Sequence, residues 1–158
     1  MFNPDFKDML SALSEARADF LLVGAYALAV HGHPRATGDL DIWVRADFEN
    51  ASRVLRSLAV YGAPLDDLTV DDLSKPGIVF QIGVEPSRID ILTAISGVEF
   101  EHAWKNRVLI EMNGDCVSVI GREDLIVNKR ASGRPKDIAD VETLAPRKER
   151  PPTLDISS

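Results

Sequence analysis

The sequence predicts an α+β fold: a mixed β-sheet flanked by helices, with a helical pair at the C-terminal end. Three observations carry that class. Apolar residues switch repeatedly between helical spacing and short strand-like runs. An Asn113–Gly114 pair splits two apolar runs, which marks a hairpin and so requires antiparallel pairing. Helical and strand stretches also alternate along the chain instead of falling into separate blocks, so the sheet is mixed.

The elements follow in order. In "FKDMLSALSEA", Phe6, Met9, Leu10 and Leu13 recur at helical spacing and predict an amphipathic opening helix. "DFLLVG" reads as a short buried strand stopped at Gly24, and "AYALAVHG" as a helix ended by Gly32. "HPRATG" is loop, and "DLDIWV" is rich in strand formers. "DFENASRVLRSLAVYG" predicts a second amphipathic helix with Phe48, Ala51, Val54, Leu55 and Leu58 on one face. "APLDDLTVDDLSKPG" reads as acidic, turn-rich connection. "IVFQIG" and "SRIDILTAI" predict a strand pair around the turn-forming Pro86. "EFEHAWKN" predicts a short helix, and "RVLIEMNGDCVSVI" the hairpin. "REDLIVNKRAS" and "PKDIADVETLA" are the closing helices, with Pro135 suited to a first turn. Residues 1–145 thus form a single domain, and residues 146–158 are a tail with little to bury.

Composition narrows the function. The 158 residues carry a formal charge of -7. Residues 1–120 hold ten Lys/Arg against eighteen Asp/Glu, whereas residues 121–150 hold eight against six. An acidic body argues against a general nucleic-acid coat, because phosphate binding needs a basic footprint. A local basic segment facing an acidic site suits a small polyphosphate held through metal. One cysteine, Cys116, excludes an internal disulfide; placed in a predicted strand, it reads as inert filler. No apolar run approaches a membrane span, and no basic leader opens the sequence, so a cytoplasmic location is expected.

The chemistry starts at "DLDIWV". On a strand, Asp39 and Asp41 point to the same face, about 6.7 Å apart along the backbone. Leu40 and Ile42 then enter the core. Two acids that close repel each other, and a divalent cation removes the repulsion. Taken alone, the triplet reads more readily as two surface acids. Its company changes the balance. "VGAYAL" upstream gives strand, glycine, helix, a turn where backbone can approach a ligand. "SRIDIL" places Asp90 between apolar residues as Asp41 is placed, so neighbouring strands would bring in a third carboxylate; a salt bridge from Asp90 to Arg88 or Arg35 is the alternative. "NKRASGRPKD" gathers Lys129, Arg130, Arg134 and Lys136, suited to phosphate or else to a solvated helix end. His31, His33 and His102 lack zinc spacing, and Trp43 and Trp104 read as core or rim.

These blocks together resemble the nucleotidyltransferase superfamily that includes DNA polymerase β. The nearer likeness is to small bacterial members: AbiE-type toxins, minimal nucleotidyltransferases and lincosamide nucleotidyltransferases. Val23, Gly24, Asp39, Asp41 and Asp90 match the superfamily pattern, and the likeness covers residues 20 to 145. It implies a nucleotidyltransferase fold and Mg²⁺, or Mn²⁺, on Asp39, Asp41 and Asp90. It further implies nucleotide contacts from Gly24, Ala25, Arg35, Thr37, Lys129, Arg134 and Lys136. Asp90 would help deprotonate the acceptor, and Asp137 is a further candidate beside the basic group. Ala25 departs from the pattern, which commonly has Gly or Ser, so a hydroxyl contact to phosphate is missing.

The reaction so implied moves a nucleoside monophosphate from a triphosphate to a hydroxyl, releasing pyrophosphate. The acceptor stays open between a protein side chain, a tRNA end and a small molecule. A toxin of a toxin–antitoxin or phage-defence system, with a cognate antitoxin as partner, fits this reading. So does an antitoxin-like module of the same fold that binds without turnover. A sugar transferase using Asp-x-Asp is a third reading, weakened by the short chain.

Overall fold

The computed structural model describes residues 4–33, 38–84, 86–112 and 114–145. Its elements run α1 (Pro4–Glu15), β1 (Phe20–Val23), α2 (Gly24–Val30), β2 (Asp39–Val44), α3 (Phe48–Tyr61), α4 (Val70–Leu73), β3 (Val79–Ile82), β4 (Arg88–Leu92), α5 (Phe100–Lys105), β5 (Val108–Met112), β6 (Asp115–Val119), α6 (Arg122–Ser132) and α7 (Pro135–Leu144). The strands form one mixed sheet in the order β3-β4-β2-β1-β6-β5. The expected α+β class with a mixed sheet, flanking helices and a closing helical pair is what the chain adopts. No helix among the described residues is long and apolar enough to cross a membrane.

Burial explains the central strands. All four residues of β1 are buried, and β2 hides Leu40 and Ile42 on the face opposite its two acids. Ile89 and Ile91 of β4 do the same beside them. Phe6, Met9, Leu10 and Leu13 of α1 close over this core as their spacing predicts. Each such side chain contributes roughly 1.5–3 kcal/mol relative to exposure.

Three departures have local causes. The stretch read as connection contains α4, whose capping box joins Thr69 and Asp72 reciprocally. Phe48 does not share the buried face of α3: it is 69% exposed at the first helical position, and Asn50 and Ser57 are buried instead. Asn50 donates to the carbonyls of Asp19 (3.0 Å) and Arg45 (2.9 Å) and accepts from the Asp19 amide at 2.7 Å. It thereby satisfies backbone groups where β1 begins and β2 ends. Cys116 is exposed on β6, not filling the interior. The α3 helix ends at Gly62 with φ 96°, while Ala63 N–H reaches back to the Leu58 carbonyl at 3.0 Å.

Candidate active site

The site is assembled where β1, β2 and β4 lie side by side. The β2 and β4 strands are parallel, in a register that makes Asp39 the partner of Arg88 and Asp41 the partner of Asp90. Because side chains alternate along a strand, all four residues stand on one face. The apolar residues between them anchor the opposite face. Asp39, Asp41 and Asp90, from two separate parts of the chain, are thus brought together.

The other flank of Asp41 is the end of β1. Val23 is its antiparallel partner, and the chain turns at Gly24 with φ 71° into α2. A Cβ on Gly24 would stand 2.3 Å from Asp41 Oδ2. Glycine is therefore required twice, by the left-handed backbone and by the carboxylate pressed against it. Ala25, next in line, is half-buried at the start of α2.

Electrostatics at this point are unbalanced. The Asp41 carboxyl is pushed up to about 6 by burial, then by the charges of Asp90 and Asp39 and by its hydrogen bond to Asp90; Arg88 pulls it the other way. Arg88 Nη2 donates to Asp39 Oδ2 at 2.7 Å, and its Nε donates to Asp90 Oδ1 at 3.1 Å. The salt bridge that was the alternative role for Asp90 thus forms alongside the acid cluster. One guanidinium against three carboxylates leaves net negative charge.

That donor set suits a hard divalent cation: carboxylate oxygens on adjacent strands, one of them held reluctantly ionised. As the side chains stand, no group of three His, Cys, Asp or Glu among the described residues is arranged to enclose a metal.

The basic segment behaves differently from a row of free phosphate contacts. Lys129 is buried between α6 and α7, 2.9 Å from Asp140 Oδ2 and 3.7 Å from Asp137 Oδ1. Arg134 is exposed and donates to both oxygens of Asp137, at 2.6 and 3.2 Å. Burial, the largest single influence, raises the Asp137 carboxyl, but the Arg134 hydrogen bonds and the charges of Arg134 and Lys129 together outweigh it, and the net shift is downward. Arg134 also lies within electrostatic reach of Asp41. Lys136 is exposed at the start of α7. Arg35 and Thr37 lie outside the described residues, as does the tail from 146 to 158.

Sequence reasoning named Arg88 only as a salt-bridge partner, although the Arg-x-Asp alternation already put it on the acid face. Trp43, two residues beyond Asp41, is buried against Phe100, which stacks on Trp104 at 5.5 Å. A groove of about 520 Å³ opens at the far ends of β2 and β4, with Arg45, Asp47, Ile95 and Phe100 among its walls; none of the three acids lines it. His31 Nε2 meets the Ile120 carbonyl at 2.9 Å, and His102 pairs with Asp124 at 3.1 Å.

The family model described as nucleotidyltransferase of unknown function (DUF6036) matches residues 5–148. A protein of Thermotoga maritima described as a nucleotidyltransferase superposes with a TM-score of 0.57 at 16% identity, covering 91% of this chain and 92% of that one. The lincosamide antibiotic adenylyltransferase LnuA, in a lincomycin-bound structure, gives 0.58 at 12% identity over 91% and 96%. An antigenic nucleotidyltransferase-like protein of Paracoccidioides brasiliensis gives 0.50 at 15% identity over 89% and 74%. At such identities the likeness is one of fold. No curated protein matches the sequence.

Proposed function

Since the chain belongs to this family of nucleotidyltransferases of unknown function, we propose that it is an active, Mg²⁺-dependent enzyme transferring a nucleoside monophosphate to a hydroxyl. The observation that carries the reading is the Asp41–Asp90 register, which gathers Asp39, Asp41 and Asp90 on one face beside the Gly24 turn.

In this reading Asp39 and Asp41 hold the cation, and Asp90 completes its protein ligands. The cation supplies charge neutralisation at the triphosphate. Asp90 takes the proton from the acceptor hydroxyl, whose oxygen forms the new bond to the α-phosphorus. The bond from that phosphorus to the bridging oxygen breaks, and pyrophosphate leaves with the electron pair. Gly24 gives phosphate room to approach the backbone. Arg134, exposed and within electrostatic reach of Asp41, offers a forked donor for phosphate oxygens, with Lys136 two residues on. Arg35 and Thr37 join from the preceding loop on the strength of the sequence resemblance. Lys129 acts one step back: its pairs with Asp137 and Asp140 hold α6 and α7 together, and Asp137 in turn holds Arg134.

The test is incubation with each α-labelled triphosphate, Mg²⁺ and cell lysate. Label should pass to one acceptor class, and Asp39→Asn or Asp41→Asn should abolish it while circular dichroism stays unchanged. Full activity in those variants ends the reading. The second reading, a module that binds without turnover, is favoured by Ala25 and by the guanidinium already seated on the acids. Nucleotide binding without pyrophosphate release from any triphosphate would select it.

A further inference from the structure

Arg88 is placed as a cation would be. Its guanidinium bonds Asp39 at 2.7 Å and spans both oxygens of Asp90, at 3.1 and 3.4 Å. It starts from β4, two residues before Asp90 and directly across from Asp39, so the sheet register itself delivers it there. Its side chain is 29% exposed and those of Asp39 and Asp90 are 27% and 11%, so solvent screens the pairs only in part.

We propose that Arg88 is a built-in counter-cation that competes with divalent metal for Asp39 and Asp90, so that metal binds well only together with a triphosphate. This rests on the transferase reading of the acids.

The physical argument has two halves. A metal ion and a guanidinium drawn to the same carboxylates repel each other and compete for their lone pairs, so metal entry weakens or displaces the charge-assisted hydrogen bonds of Arg88. One guanidinium against three carboxylates on the same face leaves the cluster with net negative charge. The cluster therefore still attracts cations. A triphosphate shifts the balance by adding its own oxygens to the metal and by giving Arg88 a replacement anion within reach of β4.

The experiment is a titration of the full chain with Mn²⁺ alone, following loss of the free-ion resonance signal, without nucleotide. Arg88→Gln should bind Mn²⁺ about tenfold tighter than wild type, because the competitor is gone. Arg88→Lys keeps the charge but has no fork to span both acids, and should fall between the two. If the glutamine variant does not fold, the lysine variant decides by the same sign. An arginine that merely braced the strands would, once removed, loosen the ligands and weaken Mn²⁺ binding, the opposite result. Equal or weaker affinity in the folded variants overturns the proposal, even if the wild type transfers label. Tighter binding in a protein that transfers nothing would uphold Arg88 as competitor while the transferase reading failed.

Discussion

Asp41 and Asp90 are direct partners across the parallel β2–β4 ladder, so their carboxyl groups stand side by side on one face of the sheet. Two acids in such a position share a proton readily and ionise together with difficulty. The site is therefore stable with a proton or a cation and strained without either.

A pH dependence of stability follows. The folded Asp41 carboxyl titrates at about 6, above its ordinary 3.8, so the folded state binds the extra proton between those values. Stability then falls as pH rises through that window, and the whole penalty is present above it. Replacing Asp41 by Asn removes the penalty. Without metal at pH 8, Asp41→Asn should be more stable than wild type by about 2 kcal/mol, a difference that shrinks toward pH 4. Urea unfolding in chelator at the two pH values checks it, and a variant less stable at pH 8 would contradict it.

Gly24 admits no side chain. Gly24→Ala forces a positive φ on a residue with a Cβ and drives that Cβ to 2.3 Å from Asp41 Oδ2. A loss of about 1–2 kcal/mol is expected from the backbone alone. Displacement of Asp41 should cut nucleotide transfer far more than the residual instability would. Activity assayed well below the melting temperature separates the two effects.

Lys129 is a strut before it is a phosphate contact. With its side chain 8% exposed and two carboxylates within 4 Å, Lys129→Met leaves Asp137 and Asp140 short of a counter-charge. Removing one partner of a buried charged group costs about 3–5 kcal/mol. Thermal unfolding should show this loss with or without nucleotide. A variant of normal stability but raised KM for triphosphate would instead make Lys129 a direct ligand.

Asn50 holds the ends of β1 and β2 together. Asn50→Ala strands the Asp19 amide and the Arg45 carbonyl near the core, while the Asp19 carbonyl keeps the Arg45 N–H, and should cost about 2 kcal/mol. Asn50→Asp, which keeps the acceptor and loses both donors, should recover little of it. Chemical denaturation of both variants is the measurement.

What the sequence alone determined was local. Period-2 alternation put Asp39 and Asp41 on one face, the apolar runs marked each strand, and helical spacing marked the larger helices; those patterns depend only on the backbone's own geometry. The capping box at Thr69 and Asp72 is equally local, a Thr-x-x-Asp spacing set within an acidic stretch. Tertiary structure alone decided that β4 would lie beside β2 with Asp90 level with Asp41, that Arg88 would enter the acid cluster, and that Lys129 would turn inward toward α7. It also decided that Phe48 would face solvent while Asn50 was buried. Strand order and helix rotation are set by which distant surfaces exclude water together, and no window of neighbouring residues encodes that.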